Sequence, residues 1–258
     1  MNERKIEFEE LINCRDLGGL VNREGKTIRK GVLIRTAKLF KASEADIRKL
    51  SEELRLKKII DLRTTEEVQE KPDKVIPGAE HLHIAIFDEV RAGISREEGS
   101  ENKSDMFISD MAGLYAALVS DEVCQNNFSR ALKTIMAHDP DSGSILWHCT
   151  EGKDRCGLTA MFILSMLGVD RKYIMDDYLL TNEVNEARAE MIYLKVLEKG
   201  RDEPFARAVR ESFLAKPEYL QAAFDAIDGK FGGIDNYLQN CLSISDEEIE
   251  AFRKKLLN

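Results

Sequence analysis

The sequence predicts an α/β fold with helical additions at its C-terminal end. Short apolar runs that are typical of strands alternate with helical segments over the first two thirds of the chain, and everything beyond Asp170 is predicted to be helical. Strands interleaved with helices favour a sheet that is covered by helices. No internal repeat, low-complexity tract or proline-rich linker divides the 258 residues. We therefore expect residues 1–258 to form a single domain.

The first predicted elements are two short strands and a helix. Residues 22–25, Asn-Arg-Glu-Gly, are typical of a turn, and the second of the strands that it joins includes residues 32–34. Ser43 is expected to cap a helix that runs to about residue 54.

Two further strands are predicted before the middle of the chain. Residues 57–62 contain a β-branched apolar core, and Thr64 or Thr65 is then expected to cap a short acidic helix. Residues 81–87 alternate between apolar and polar types, which indicates a strand. Residues 88–105 are polar and contain two glycines, so we expect a mobile loop there.

The second half of the chain is mainly helical. Residues 106–137 are predicted to form two helical segments, and residues 145–148 a strand that is followed by a helix after Arg155. Residues 245–248, Ser-Asp-Glu-Glu, have the spacing of a capping box. They precede an apolar helical stripe of Ile249, Phe252 and Leu256.

The charge balance excludes several classes of partner. The chain has 38 Lys and Arg against 47 Asp and Glu, which gives a net charge of −9. General nucleic-acid binding needs a basic footprint, so we expect no nucleic-acid partner. The same balance disfavours attraction to anionic membranes. Nothing in the sequence predicts an oligomeric state.

Cysteine usage and the N-terminal residues favour a reducing compartment. The five cysteines are odd in number and have no spacing typical of a secreted disulfide framework. Residues 1–10 are charged throughout, unlike a signal peptide. The longest uncharged run, residues 156–169, is shorter than the roughly 18 apolar residues of a membrane span. We therefore expect a cytoplasmic protein without stable membrane insertion.

One ten-residue stretch carries the strongest functional signal. It reads His148-Cys149-Thr150-Glu151-Gly152-Lys153-Asp154-Arg155-Cys156-Gly157 and lies between a predicted strand and a predicted helix. A loop in this setting points backbone N–H groups inward at the positive end of a helix, which suits a dianion such as phosphate. The thiol at its start supplies a nucleophile, and the guanidinium at its end supplies a forked anion clamp.

The residue types of this loop suit phosphate chemistry. A free thiol has a pKa of about 8.5, and the inward amides, the helix terminus and Arg155 all favour the thiolate of Cys149. Lys153 is expected to add a second cation near the mouth, and Asp154 is a candidate proton donor. His148 is expected to hold the backbone near Cys149. The predicted phosphate-binding residues are Thr150, Glu151, Gly152, Lys153, Asp154 and Arg155.

The loop resembles the signature of the cysteine-dependent protein tyrosine phosphatase superfamily. The fuller form, His-Cys-x-x-Gly-Lys-Asp-Arg, is similar to that of the atypical bacterial tyrosine-protein phosphatases. The likeness extends over nearly the whole chain and is weakest over residues 88–105. The other segments that resemble this branch are residues 13–19 (Asn-Cys-Arg-Asp-Leu-Gly-Gly), 33–37, 60–63, 177–182 and 216–220.

This resemblance implies both a fold and a reaction. The fold is a central, mostly parallel sheet flanked by helices, with residues 182–215 forming a helical lid over the site. The reaction is metal-independent and cofactor-independent hydrolysis of a phosphate monoester through a cysteinyl-phosphate on Cys149, with Arg155 binding the phosphoryl group. The expected partner is a phosphorylated protein, with phosphotyrosine first. Lys153 leaves phosphoinositide substrates and dual protein specificity open, because an extra cation suits multiply phosphorylated groups.

Two residues depart from the family pattern. Cys156 stands where the family usually has threonine or serine, and a thiol is a weaker hydrogen-bond donor than a hydroxyl. We therefore expect slower breakdown of the phosphoenzyme. Glu151 stands where small neutral residues are common, and it would repel an anionic substrate unless it faces solvent or pairs with a cation.

The general acid is not settled by the sequence, because no Trp-Pro-Asp loop is present. Asp154 is either the proton donor or a structural carboxylate of the loop. Asp61 follows a strand, where catalytic groups collect in α/β sheets. The resemblance implies that Asp61 reaches the site, as proton donor or as partner of Arg15 or Arg63, and the alternative is a structural ion pair. The weaker acid candidates are Asp73, Asp88 and Asp141.

Other functions are less well supported by the residues. Cys156 and Glu151 would also suit a non-catalytic phosphate-binding module. A rhodanese-like sulfur transferase can carry Cys-x5-Arg as well, but the other segments argue against it. A P-loop nucleotidase lacks its Ser/Thr after Gly152-Lys153. His81 and His83 are two ligands without a clear third, so we expect isolated strand histidines and no metal site.

Overall fold

A five-stranded sheet forms the centre of the protein. The computed structural model describes residues 3–87 and 110–258. The spatial order of its strands is β1-β2-β5-β3-β4. Only β1 runs antiparallel to its neighbour, and the other three pairings are parallel. The predicted α/β fold with a mostly parallel sheet is therefore confirmed. The strands are β1 (Arg15–Asp16), β2 (Leu33–Thr36), β3 (Leu56–Asp61), β4 (Glu80–His83) and β5 (Ser144–His148).

Helices surround this sheet and, as predicted, dominate the chain beyond Asp170. Among the described residues, no helix combines the length and the apolar character needed to cross a bilayer. The helices in chain order are α1 (Glu44–Arg48), α2 (Thr65–Glu70), α3 (Met111–Ser120), α4 (Glu122–Ala137), α5 (Asp154–Met166), α6 (Arg171–Leu179), α7 (Asn182–Glu198), α8 (Glu203–Phe213), α9 (Pro217–Phe231), α10 (Ile234–Asn240) and α11 (Asp246–Leu256).

The central strand β5 is buried along its whole length and has a hydrophobic core on each face. Ile145 and Trp147 belong to the larger core, and Leu146, between them, belongs to the smaller one. This alternation follows from the two-residue period of a strand. Because β5 is sandwiched in this way, the position at which the chain leaves it is fixed by packing on both sides.

The carboxyl ends of three parallel strands meet at one edge of the sheet. In the register of the sheet, His148 lies between Thr36 of β2 and Asp61 of β3. In open α/β sheets this edge is where ligands bind. The stretch that begins at Cys149 therefore leaves the sheet at the edge best suited to a functional site.

Several helix boundaries agree with the predictions because they are set by local hydrogen bonds. Ser43 caps α1 in a capping box with Asp46, and the helix continues as a π-helical turn over Lys49–Glu53. Of the two candidate caps, Thr64 starts α2. The predicted capping box at Ser245 begins α11.

The strand predicted over residues 81–87 is shorter than expected and occupies Glu80–His83. Its partner β3 ends at Asp61, so regular pairing cannot continue much further. Ile84 and Ile86 still donate to the carbonyls of Asp61 and Leu62, at 2.9 and 3.4 Å. The loop predicted over residues 88–105 lies outside the described residues. Beyond it, the two predicted helical segments are α3 and α4.

A buried ionic cluster around Asp177 ties α6 to the sheet edge. The Asp177 carboxylate contacts Arg4 at 2.6 Å, Arg15 at 3.3 Å and Arg35 at 2.9 Å. Burial opposes its ionisation, but the arginines outweigh burial and hold the pKa of Asp177 well below its usual range. Arg35 also donates to the carbonyl of Gly152 at 2.9 Å. Through Arg35, the cluster therefore holds the backbone of the stretch after β5 in place.

We expect Asp177→Asn to lower the free energy of unfolding by about 3–5 kcal/mol, because it leaves the buried Arg15 and Arg35 and the partly buried Arg4 without their shared anion. The measurement is urea unfolding at pH 7. The matched control is Asp228→Asn, which removes a 2.6 Å pair with Arg171 whose side chains are 47% and 42% exposed, and which should cost less than about 1 kcal/mol. The depressed pKa makes the contribution of Asp177 present above its unfolded pKa and lost as the pH falls. Equal losses in both variants would contradict this account.

Candidate active site

The stretch from Cys149 to Arg155 forms a tight loop between β5 and α5, as the sequence predicts. It leaves β5 after His148, and α5 begins at Asp154. Gly152 has a φ of +68°, and a Cβ atom there would lie 2.7 Å from the Thr36 carbonyl oxygen. Only glycine satisfies both the left-handed conformation and the close approach to β2. The loop therefore closes at the positive end of α5.

Cys149 lies at the start of this loop and is buried. Burial opposes ionisation of its thiol, but a hydrogen bond from the Cys156 thiol and the charge of Arg155 outweigh it and lower the pKa of Cys149 to about 6. For Cys156, burial and the neighbouring Cys149 sulfur both raise the pKa, to well above its usual value. One sulfur is thus held as a thiolate at neutral pH and the other as a thiol, whose Sγ also contacts the Thr36 carbonyl oxygen at 3.7 Å.

Arg155 lies at the other end of the loop and is oriented by Glu67 of α2. Its two terminal nitrogens contact the two Glu67 carboxylate oxygens at 2.5 and 2.9 Å, and Thr150 donates its hydroxyl to the same carboxylate. The guanidinium also lies 5.0 Å from the centre of the Phe87 ring. This bidentate pairing fixes the plane of the guanidinium.

Glu67 is a residue that the sequence analysis did not single out. Its only local signal is its place three residues after Thr64, where its side chain completes the capping box of α2. Burial opposes ionisation of Glu67, but Arg155 and its hydrogen-bond donors hold the pKa of this carboxyl well below its usual range. Glu67 is therefore an anion that both caps α2 and positions Arg155.

Glu151 pairs with a cation, which is one of the two arrangements that the sequence analysis allowed. Arg188 of α7 forms a bidentate contact with its carboxylate, one nitrogen lying 3.0 Å from Oε1. Asn13 donates to the Glu151 carbonyl at 3.0 Å. The negative charge of Glu151 is therefore neutralised by α7 instead of facing a bound anion alone.

Lys153 is buried, which differs from the cation near the mouth that we expected. Its Nζ donates to the carbonyls of Ser212 and Leu214 at 2.5 and 3.1 Å, and it lies 3.2 Å from an Asp154 carboxylate oxygen. The carbonyls at the C-terminal end of a helix carry partial negative charge. Lys153 therefore neutralises the end of α8 and joins that helix to the loop.

Asp154 occupies the first turn of α5, and its carboxylate accepts a hydrogen bond from the Tyr115 hydroxyl at 2.8 Å. Burial and the Asp154 charge raise the pKa of Tyr115 well above its usual value, so this hydroxyl stays protonated. Tyr178 lies 2.8 Å from the same Tyr115 oxygen. The Asp154 carboxyl group is therefore held in place beside Cys149 and Arg155 by a protonated phenol.

Asp61 is fully buried and binds Arg63. Both of its carboxylate oxygens accept hydrogen bonds from that guanidinium, the shortest at 2.6 Å. Of the two arginines expected as partners, Arg63 is the one in contact, and Arg15 binds Asp177 instead. Asp154 therefore belongs to the loop itself. Asp61 lies opposite His148, which precedes the loop, and its carboxylate is engaged by Arg63.

The weaker acid candidates lie in different surroundings. Asp73 contacts His148 at 2.8 Å and Arg63 at 3.0 Å. The Asp141 side chain is 80% exposed and pairs with Arg29. Asp88 lies outside the described residues. Asp73 therefore contacts His148, the first residue of the ten-residue stretch. Asp141 forms its ion pair at the protein surface, away from that stretch.

Helices α7 and α8 form a hairpin with its own small core. Ala189 of α7 packs with Val209 and Phe213 of α8. The hairpin reaches the loop at two points, through Arg188 to Glu151 and through the Ser212 carbonyl to Lys153. Residues 182–215 are therefore attached directly to the stretch that begins at Cys149.

This arrangement can bind and attack an electron-poor centre that carries anionic oxygens. The positive end of α5 and Arg155 favour an oxyanion. The Cys149 thiolate is a nucleophile at neutral pH, and Asp154 supplies a carboxyl group for proton transfer. No step of this chemistry requires an organic cofactor.

Comparisons with known proteins agree with this geometry. The chain is 27% identical over 254 residues to a protein of Cupriavidus necator provisionally named a tyrosine-protein phosphatase, covering 95% of this chain and 87% of the relative. It is 27% identical to the triple specificity protein phosphatase PtpB of Mycobacterium tuberculosis, covering 89% and 92%. It is also 27% identical to a tyrosine-protein phosphatase of Nostoc commune, covering 86% and 73%. A model of the tyrosine phosphatase family matches residues 6–258, and the chain therefore belongs to that family.

Proposed function

We propose that this protein is a cysteine-dependent protein-tyrosine phosphatase that hydrolyses its substrates through a cysteinyl-phosphate on Cys149. The observation that carries the proposal is a buried thiol whose pKa is lowered to about 6, at the start of a loop that ends in Arg155. The names of the relatives from Cupriavidus necator and Nostoc commune support phosphotyrosine as the substrate. A phosphorylated protein is accordingly the partner that we assign.

The first step is attack of the Cys149 thiolate on phosphorus. A phosphorus–sulfur bond forms as the bond to the leaving oxygen breaks. Arg155 holds the phosphoryl oxygens, and Glu67 keeps the guanidinium oriented. A bound phosphoryl group can replace the long contacts that Arg155 makes to Leu62 O and Thr150 Oγ1, both at 3.4 Å. The bidentate pair with Glu67 can persist during this exchange.

We assign the proton donor of this step to Asp154. The Tyr115 hydroxyl fixes its carboxyl group at the rim of the loop. A proton from Asp154 neutralises the leaving oxygen. The tyrosine phenolate needs this proton because it is a poor leaving group: the phenol that it forms has a pKa of about 10. Asp61 is assigned a positioning role, since its carboxylate binds Arg63.

The second step returns the enzyme to its starting state. Water attacks phosphorus, Asp154 accepts its proton, and the phosphorus–sulfur bond breaks to release phosphate and the Cys149 thiolate. The Cys156 thiol donates to that sulfur and stabilises it as it leaves. A thiol donor is weaker than a hydroxyl, so slow breakdown of the phosphoenzyme stays a prediction.

We also propose that residues 182–215 act as a lid over the site within a single domain. The contacts of Arg188 and of the Ser212 carbonyl with the loop support this role. A closed lid excludes water and restricts the size of the substrate. These contacts also bear on substrate choice, because Lys153 is engaged with α8 and does not present an extra cation to a phosphoinositide headgroup.

A non-catalytic phosphate-binding module receives no support from the two residues that suggested it. Cys156 donates to Cys149 and lowers its pKa, which favours a nucleophile. Glu151 is paired with Arg188, and this cation reduces the repulsion between the Glu151 carboxylate and a bound phosphate. Both departures from the family pattern are therefore compatible with catalysis.

We expect Cys149→Ser to lower turnover of phosphotyrosine peptide by at least about 10³-fold, because a hydroxyl at this position is not ionised at neutral pH. The variant should still bind phosphate or vanadate by isothermal titration calorimetry. Cys241→Ser, a change at a partly exposed cysteine, is the matched control and should keep full activity. Turnover near the wild-type rate in Cys149→Ser would overturn the mechanism. Phosphoserine peptide and a phosphoinositide, tested in parallel with the wild type, should be hydrolysed more slowly than phosphotyrosine peptide.

The acid limb of kcat/KM should lie near pH 6 in the wild type, since activity requires the thiolate and the pKa of Cys149 is lowered to about 6. Cys156→Ala removes a donor to that thiolate and should shift the limb upward by about one pH unit, which corresponds to one hydrogen bond of ~1.4 kcal/mol. Cys156→Ser keeps a donor and should leave the limb near its original position. The rate of alkylation by iodoacetamide provides an independent titration. A limb that does not move in Cys156→Ala would refute the role of this thiol.

Asp154→Asn should reduce kcat for phosphotyrosine peptide by about 10²–10³-fold. It should have a smaller effect on p-nitrophenyl phosphate, whose leaving group needs less help from a proton. Asp61→Asn breaks a buried pair with Arg63, so it should lower the free energy of unfolding and affect both substrates equally. If Asp61→Asn, and not Asp154→Asn, lowers kcat more for phosphotyrosine peptide than for p-nitrophenyl phosphate, then Asp61 is the proton donor and our assignment is wrong.

A further inference from the structure

A cluster of nitrogen and oxygen donors lies beside the loop, with members from the last residues of β3 and β5, from β4 and from the connection between α2 and β4. We propose that Asp73, His81 and His148, with Asp61 as a fourth neighbour, form a binding site for a divalent transition-metal ion such as Zn²⁺. The site is separate from the phosphate loop, and the proposal does not depend on the function proposed above. It extends one of the two strand histidines of the sequence, His81, with donors that only the tertiary structure brings near.

The spacing of the donor atoms fits a tetrahedral ion. One ligand atom from each of the four side chains lies within 4.8 Å of all the others. His148 Nε2 and His81 Nε2 lie 2.8 and 3.3 Å from the same Asp73 oxygen, and His148 Nε2 lies 3.8 Å from Asp61 Oδ1. Bonds to Zn²⁺ of about 2.0–2.2 Å place tetrahedral ligand atoms roughly 3.3–3.6 Å apart. The observed separations fall on both sides of this value, so small side-chain rotations suffice.

The orientation of the His148 ring also suits a ligand. The residue is fully buried, and its Nε2 faces the cluster, 2.8 Å from Asp73 Oδ2 and 3.8 Å from Asp61 Oδ1. Its Nδ1 lies 3.4 Å from the Cys149 carbonyl oxygen. Metal-binding histidines characteristically donate one ring N–H to a carbonyl and direct the other nitrogen at the ion. His148 has this orientation.

The charges around the cluster leave room for a cation. Arg63 binds both oxygens of Asp61, the shortest contact being 2.6 Å, and is also held by the Lys71 carbonyl at 2.7 Å. That pair is neutral, so Asp73 contributes an anionic charge to the two imidazoles. The Arg63 contact with Asp73, at 3.0 Å, is the one that an ion would weaken. We therefore regard Asp73, His81 and His148 as the primary ligands.

Entry to the site and the effect of binding follow from the same positions. The His81 side chain is 38% exposed, so an ion can reach the cluster from solvent. His81 belongs to β4 and His148 to β5, and β3, which ends at Asp61, lies between these two strands in the sheet. An ion bound here would link the ends of these strands and raise the thermal stability of the native state.

The test uses the Cys149→Ser protein, because the Cys149 thiolate would itself bind the probe. Titration with Zn²⁺ by calorimetry should show one equivalent bound, together with a rise in Tm. Titration with Co²⁺ should give the visible bands of a tetrahedral ion without a thiolate charge-transfer band. Adding His81→Ala should weaken Zn²⁺ binding by at least about 10-fold.

The matched control is His83→Ala in the same background. His83 lies two residues along β4, and its Nε2 contacts the Arg63 carbonyl at 2.8 Å instead of joining the cluster. Its loss should leave Zn²⁺ affinity within about 3-fold of the parent, well inside the 10-fold effect of a lost metal contact. Circular dichroism checks that both variants fold. Absence of stoichiometric binding, binding unaffected by His81→Ala, or a thiolate charge-transfer band with Co²⁺ would each overturn the proposal.

Discussion

The structure of the site depends on the pairing of buried charges. An isolated ion in a protein interior is costly, and it persists only with a partner and hydrogen bonds. The stretch from Cys149 to Arg155 carries several ionisable side chains that are almost fully buried, and each is matched by a group from a distant part of the chain or from the loop itself. The matches are Cys149 with Cys156 and Arg155, Glu151 with Arg188, Lys153 with the end of α8, and Arg155 with Glu67. The loop conformation is therefore a property of its surroundings as much as of its own sequence.

This pairing gives the proposed lid a physical basis. Glu151 and Lys153 are neutralised by α7 and by the C-terminal end of α8, so the same contacts that hold the hairpin down also remove two charges from water. In the proposed open state of the hairpin, water would solvate both groups in place of their partners, and neither would be left buried and unpaired. Arg155 keeps Glu67, and the loop keeps Arg35, because both partners belong to the body of the protein. Movement of the hairpin is thus compatible with an intact loop.

Cys156 shows how the same position can be interpreted in opposite ways from sequence and from structure. As a residue type it is a weak donor that replaces a hydroxyl. In the folded protein its pKa is raised by burial and by the Cys149 sulfur, so it remains a thiol and lowers the pKa of Cys149. Its weakness as a donor bears on the second chemical step, whereas its presence favours the first. A cysteine at this position therefore changes the balance between the two chemical steps and is compatible with both of them.

The sequence by itself determined the elements that rest on local rules. These are the strand, loop and helix around Cys149, the helix cap at Ser43, the capping box at Ser245, and the mostly parallel sheet that the family resemblance implied. Only the tertiary structure decided which distant groups meet the loop. From sequence alone, Glu67 looks like a helix cap, Lys153 like a cation near the mouth of the loop and Asp61 like an acid near the site. The fold shows the partners of all three. The reason is that caps and turns involve residues a few positions apart, whereas the partner of a buried charge is set by three-dimensional proximity between segments that sequence spacing does not encode.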